Sequence, residues 1–299
     1  MPVVTANGLS IACETSGDPA ASPIVMLMGL GMPLVFWPDA FVEGLLAGGF
    51  YLVRLDNRDC GLSQRLEGGS RPSVAFAMAQ TLLGFTVHAP YTLHDMANDA
   101  VGVLDALGVP RAHVVGVSMG GMIGQCLAAK HPDRVMSLTS IMSSSGNPYA
   151  AVAKPAALSA ILHRPSDPGD VTSVTDHLIH VFSVIGSPAY PADPAMLRAL
   201  CERVARRGFD PEATQRQMLA MLASGDRRRE LEGIRAPTLV IHGSDDPLVP
   251  PSAGRDVASH IPGAKLLEIE GMGHDLPQAL IARLVAAIAE HCRAAQAGA

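Results

Sequence analysis

A serine set between glycines, a loop carrying two acids and a late histidine stand in that order along this chain. Together they could perform nucleophilic chemistry. Ser118 lies in "HVVGVSMGGMIGQCLAAKHP", where an apolar run ends at Gly116-x-Ser118-x-Gly120 and a helical pattern begins at once. A serine hydroxyl is a poor nucleophile alone; it needs a base to take its proton, and the base needs an acid to orient it. Downstream, "IHGSDDPLVP" offers Asp245 and Asp246, and "EGMGHDLP" offers His274, giving the order serine, acid, histidine.

The glycines have a physical reason. To lift Oγ clear of a sheet, the serine backbone must take a strained conformation, expected at positive φ, and side chains two positions away on either side would collide. The helix that follows turns its first N–H groups toward the same point, where negative charge would develop. One N–H donor for such charge is expected from Met119, directly after the serine, and a second from the loop "MGLGMP" after an earlier strand.

These residues need a frame. Short β-type runs at Val3 to Ala6 and Leu9 to Glu14 flank Asn7-Gly8, a hairpin signal. Buried-strand runs follow at Ile24 to Met28, Tyr51 to Leu55, His113 to Val117 and Val135 to Met142. Helical patterns lie between them at Trp37 to Leu46, at "YTLHDMANDAVGVLDALG" and at Met119 to Lys130. Thr92 with Asp95 has the form of a capping box. The strand–helix alternation predicts an α/β fold with a mostly parallel central sheet flanked by helices. The rhythm breaks after "SSSGN" and resumes with strands at Thr238 to His242 and "KLLEIE", a helix near Ser252 to Ile261 and a closing helix from Leu280 to Cys292. The expected division is a core of residues 1–146 and 233–299, with residues 147–232 forming a mainly helical lid (cap) insertion. In open α/β sheets, sites form at the carboxyl ends of strands, where all three loops fall.

Composition narrows the function. A net charge of −6, with no basic run, excludes a nucleic-acid partner. Five scattered cysteines, without a C-x-x-C pair, argue against a disulfide framework or a zinc site and for a reducing compartment. "MPVVTANGLS" has no signal-peptide pattern, and "IVMLMGLGMPLVFW" is too short and too broken to span a bilayer. A cytoplasmic protein without membrane association is expected; the sequence does not separate a monomer from a dimer. His131, His242, His177 and His180 read as packing or surface residues, and no metal or cofactor is expected.

"DNRDCGLS", "GVSMGG", "PTLVIHGSDDPLVP" and "GMGHDLP" resemble the α/β-hydrolase fold family. Within it they resemble the serine esterase branch that contains aclacinomycin methylesterase and related bacterial carboxylesterases. The resemblance implies Ser118 as nucleophile, Asp246 as acid and His274 as base. Asp246 stands three after Gly243 and four before Pro250, the family's acid position, whereas Asp245 serves the loop's own turn. Alignment with the family makes Leu30 the second oxyanion donor. The family's His-Gly there is Met28-Gly29 here, which leaves the amide in place. "DNRDCGLS" departs from D-x-R-G-x-G-x-S at Asp59-Cys60 and is read as a structural turn in which Asp56 and Arg58 satisfy loop backbone groups. Cys60 is a loop residue without a histidine partner.

The implied activity is cleavage of carboxylic esters of small to medium acyl chain through an acyl-enzyme. Gly29, Leu30, Met32, Val35, Phe36 and Met119 are expected around the substrate, with Met26 and Met122 in the core. A specialised methylesterase or lactonase is the narrower alternative. A non-catalytic ligand receptor on the same fold is the alternative from another class.

Overall fold

The computed structural model describes residues 3–67 and 73–298. Its first two strands, β1 (Val3–Ala6) and β2 (Leu9–Ser16), fold back on each other through Asn7 and Gly8, both at positive φ. The hairpin signal in the sequence is therefore realised as a tight turn. The remaining strands are β3 (Ser22–Leu27), β4 (Phe50–Leu55), β5 (Ala112–Val117), β6 (Val135–Ile141), β7 (Thr238–Gly243) and β8 (Lys265–Ile269). They form one sheet in the order β1-β2-β4-β3-β5-β6-β7-β8, with β1–β2 and β2–β4 antiparallel and every other pair parallel. All six residues of β5 and of β7 are buried, as their continuous apolar runs require.

Helices cover both faces. On one side α3 (Leu93–Ala106), α4 (Met119–Lys130) and α10 (Pro251–His260) close a core around Val25, Leu27, Val114, Ile123 and Leu127. On the other, α1 (Asp39–Ala47) and α11 (Ile281–Ala297) close a second core around Ile24, Met26, Val115, Ile241 and Leu284. The predicted capping box starts α3: the Thr92 N–H donates to Asp95 Oδ2 at 2.8 Å. The helix expected from Trp37 begins later. Leu34–Phe36 forms a 3₁₀ turn, and Pro38 then caps α1. The closing helix runs past Cys292 to Ala297.

Between β6 and β7 the chain forms α5 (Pro155–Leu162), α6 (Val171–Ile185), α7 (Pro194–Gly208), α8 (Pro211–Ala223) and α9 (Arg228–Leu231). Asp170, Asp193 and Asp210 cap α6, α7 and α8 by accepting from first-turn N–H groups, and Pro stands at the start of α7 and α8. α6 and α7 share a small apolar cluster around Val174, Leu178, Cys201 and Val204, separate from the two sheet cores. One element was not anticipated, the helix α2 (Val74–Leu82), which packs through Ala77 against Leu219 of α8. No helix of the described residues is long and apolar enough to cross a membrane.

Candidate active site

β5 ends at Val117 and α4 begins at Met119, so Ser118 alone makes the turn, at φ +55° and ψ −120°. A non-glycine residue held there stores on the order of 1–3 kcal/mol of strain. The surroundings enforce it: the Ser118 N–H donates to Ile141 O at 2.9 Å, and the Ser143 hydroxyl donates to Ser118 O at 2.8 Å. The flanking glycines are required by contact. A Cβ on Gly116 would stand 2.2 Å from Gly120 O, and one on Gly120 would stand 2.0 Å from Leu27 O.

The histidine and acid converge on this serine. His274 Nε2 lies 3.0 Å from Ser118 Oγ, and His274 Nδ1 lies 2.7 Å from Asp246 Oδ2. Asp246 Oδ1 accepts from the N–H groups of Leu248 and Val249, at 2.9 and 2.8 Å, which fixes the carboxylate. With Asp246 as acceptor, the imidazole carries its proton on Nδ1 and turns the Nε2 lone pair to the serine. Asp246 and His274 are buried, at 2% and 6% exposure. Asp245 is turned away and accepts instead from the Gly271 N–H at 3.1 Å, a loop role as anticipated. His242 lies on the far side of Asp246, its Nε2 2.8 Å from Val249 O and 3.7 Å from Asp246 Oδ2. Burial lowers its pKa and favours the neutral ring.

The loop after β3 lies against the serine: a Cβ on Gly29 would stand 3.2 Å from Ser118 Cβ. The "DNRDCGLS" turn holds this loop in shape. Asp56 Oδ1 accepts from the Leu34 N–H at 2.7 Å, and Asn57 Nδ2 donates to Met28 O at 3.0 Å. Gln217 of α8 accepts from the Gly31 N–H at 2.8 Å and donates to Arg58 O at 2.7 Å, a contact the sequence did not reveal. Arg58 departs partly from expectation: its guanidinium grips Asp99 with two contacts of 2.6 Å and donates to Asp95 O. Asp59 pairs with Arg216 at 2.7 Å. Cys60 is buried in the turn, and desolvation pushes its thiol pKa well up.

A cavity of about 480 Å³ opens over Ser118 and His274. Gly29, Leu30, Met32 and Phe36 line it, joined by Met78 and Leu82 of α2, Leu158 and Ile161 of α5, Phe182 of α6 and Met221 of α8. Two expected lining residues do not. Val35 packs into the α6–α7 cluster, because the 3₁₀ turn at Leu34–Phe36 points it there. The Met119 side chain is fully buried in the sheet core, since the elbow turns it under α4. Conversely, Met122 lines the cavity, although it also touches the core; one helical turn beyond Met119 brings it there.

Other histidines have ordinary surroundings. His131 Nε2 donates to Asn98 Oδ1 at 2.8 Å, and His177 meets the edge of Phe209. His94 pairs with Glu230 at 2.7 Å beside Cys126, whose thiol burial pushes up to about 11.

With this geometry in hand, the relatives are informative. The profile of the α/β-hydrolase fold matches residues 22–166 and 203–277. The chain belongs to the α/β-hydrolase fold family. The matched stretches of this α/β hydrolase contain Ser118, Asp246 and His274 and leave out residues 167–202, which carry α6 and the start of α7. It is 31% identical to the rhodomycin D methylesterase of Streptomyces peucetius and 32% identical to that of Streptomyces sp. strain C5, in each case over 98% of both chains. Among solved structures it is similar to the enol-lactonase from Burkholderia xenovorans LB400, with a TM-score of 0.75 and 25% identity, covering 98% of this chain and 100% of that one.

Proposed function

We propose that this α/β hydrolase cleaves carboxylic esters through a serine-bound acyl intermediate. The observation that carries the reading is the unbroken chain Ser118 Oγ–His274 Nε2–His274 Nδ1–Asp246 Oδ2, at 3.0 and 2.7 Å, at the floor of an apolar cavity. The methylesterase and lactonase relatives support it.

In this reading Ser118 Oγ attacks the ester carbonyl carbon while its proton passes to His274 Nε2. The carbonyl oxygen becomes an oxyanion and takes hydrogen bonds from the N–H groups of Leu30 and Met119, neither of which has a protein acceptor among the described residues. Collapse expels the alcohol, which leaves with the proton from His274. Water, deprotonated by the same imidazole, then attacks the acyl-serine and releases the acid. Asp246 keeps the ring in the required tautomer throughout and stabilises the imidazolium.

Residues 147–232 act as a lid in this proposal. α5, α6 and α8 supply cavity walls over the serine, which excludes water from the acyl intermediate. The narrower reading, a specialised methylesterase or lactonase for bulky apolar compounds, is favoured by the cavity itself. At about 480 Å³ with methionine-rich walls, it exceeds the need of a short acyl chain and suits irregular ligands. The proposal includes a small-molecule substrate and a cytoplasmic setting, supported by five scattered, buried cysteines without a C-x-x-C pair.

Hydrolysis of p-nitrophenyl esters of graded acyl length, wild type beside Ser118→Ala, tests the reading. Activity that disappears in the variant supports it. Activity that survives overturns the serine mechanism, and a wild type that binds esters without turnover points to a receptor.

A further inference from the structure

The loop that carries His274 is not held by its own strand alone. It is fastened to the end of α6, a helix outside the stretches that match the family profile. The His274 N–H donates to Ile185 O, the last residue of α6, at 2.7 Å. The Gly273 N–H donates to Ser187 Oγ at 2.8 Å, and the Ser187 hydroxyl donates to Asp275 Oδ1 at 2.5 Å. The Ala189 N–H reaches back to Gly271 O at 3.3 Å. The two segments touch backbone to backbone. A Cβ on Gly273 would stand 2.5 Å from Gly186 O.

We infer that Ser187 and Asp275 are positioning residues for the base: they lock residues 271–275 onto the C-terminus of α6 and thereby aim the His274 ring at Ser118. This rests on the proposed serine mechanism. Three observations carry it. Consecutive residues 273, 274 and 275 each take a contact from residues 185–187, so the loop has no free register. The Ser187 oxygen accepts from Gly273, so its single proton goes to Asp275, and the bridge runs in one direction. Asp275 also lines the substrate cavity beside His274, yet it makes no contact with Ser118 or Asp246 in the hydrogen-bond chain. Burial wins and raises its carboxyl pKa, while the Ser187 hydroxyl and the neighbouring imidazole draw it back down.

The bridge supplies charge as well as geometry. The ionisable groups around His274 are Asp246 and His242 from the β7 side and Asp275 on its own loop; α6 contributes the Ile185 carbonyl, and the segment just beyond it the Ser187 hydroxyl. Asp275 is therefore a second carboxylate favouring the imidazolium that forms during acyl transfer.

Two variants separate these roles. Asp275→Asn keeps an acceptor for the Ser187 hydroxyl and removes the charge, whereas Ser187→Ala removes the bridge and keeps the charge. The measurements are kcat, KM and the pH profile of kcat/KM, with Ser118→Ala run alongside. Ser187→Ala should lower kcat by roughly 10- to 100-fold with KM changed by less than about threefold. Asp275→Asn should move the acid limb of kcat/KM to lower pH, because a carboxylate beside the ring is removed. Lower activity with an unmoved acid limb and a matching fall in Tm in both variants would reduce the bridge to a structural brace and overturn the inference, as would wild-type kinetics in both. Should Ser118→Ala retain activity, the serine mechanism itself fails, a result distinct from either.

Discussion

Asp246 divides its two oxygens between His274 and its own loop: Oδ2 meets Nδ1 of the ring at 2.7 Å, while Oδ1 is fixed by the N–H groups of Leu248 and Val249. The carboxylate is thus rigid before any substrate arrives. Asp246→Asn would present an amide donor to one of these acceptor positions and disturb the ring tautomer. We expect kcat to fall by about 10³- to 10⁴-fold with the fold intact, measured by steady-state ester hydrolysis and circular dichroism.

The elbow has no room for a methyl group. A Cβ at Gly120 would sit 2.0 Å from a backbone oxygen, Leu27 O, which cannot swing aside as a side chain could. Gly120→Ala should destabilise the protein by more than ~3 kcal/mol, and denaturant unfolding of the variant would show it. A variant within about 1 kcal/mol of wild type would mean that the sheet and α4 separate more easily than the packing implies.

Substrate size should be set from α8. Met218 lines the cavity, so Met218→Trp fills part of it. The variant should raise KM for long-chain or polycyclic esters by about tenfold and leave acetate esters within about twofold, a split that a general loss of stability would not produce.

Stability should fall in mild acid. His113 is fully buried in β5, and burial, helped by nearby His291 and Arg111, lowers its pKa to about 4. In the unfolded chain it titrates near about 6.5, so below that pH the unfolded state binds more protons and the folded state loses ground. The stability contribution is complete above about pH 6.5 and declines toward pH 4, where the loss reaches roughly 3 kcal/mol. Urea unfolding across this range should show the slope, and His113→Leu should flatten it.

The thiols should be silent. Cys13, Cys60, Cys126, Cys201 and Cys292 are all buried, and desolvation raises the pKa of each, to about 11 for Cys126 and about 12 for Cys201 and Cys292. A thiol-reactive dye should label none of the five rapidly in the native protein and all of them in denaturant. Fast native labelling at any one would contradict the burial.

Much of this site can be read from the sequence because its parts are local. Ser118 betrays itself by a turn that only flanking glycines permit, and His274 and the Asp245-Asp246 pair by loops at strand ends; the choice of Asp246 over Asp245 comes from the resemblance to the family. The parallel sheet follows from runs such as Val114 to Val117 that are apolar on both faces. What the sequence conceals is contact between distant segments. Gln217 on α8 reaching Gly31, and Ser187 just beyond α6 reaching Gly273, are single polar residues in segments whose pattern looks ordinary. α2 was missed because its residues are nearly all apolar or small, which erases the helical period; its buried face is little more than Ala77. Val35 was misplaced because a 3₁₀ turn, not a helix, decides where it points.

Anyone wishing to retarget this scaffold by exchanging its helical insert meets a constraint at Ile185–Ser187. A graft that brings a foreign α6 replaces the anchorage of the histidine along with the walls of the cavity. The separable unit is therefore not the insert alone but the insert together with residues 271–275. Chimaeras that move the two as a pair would inherit a new specificity with the base still aimed, while those cut at the insert's ends would trade selectivity against turnover.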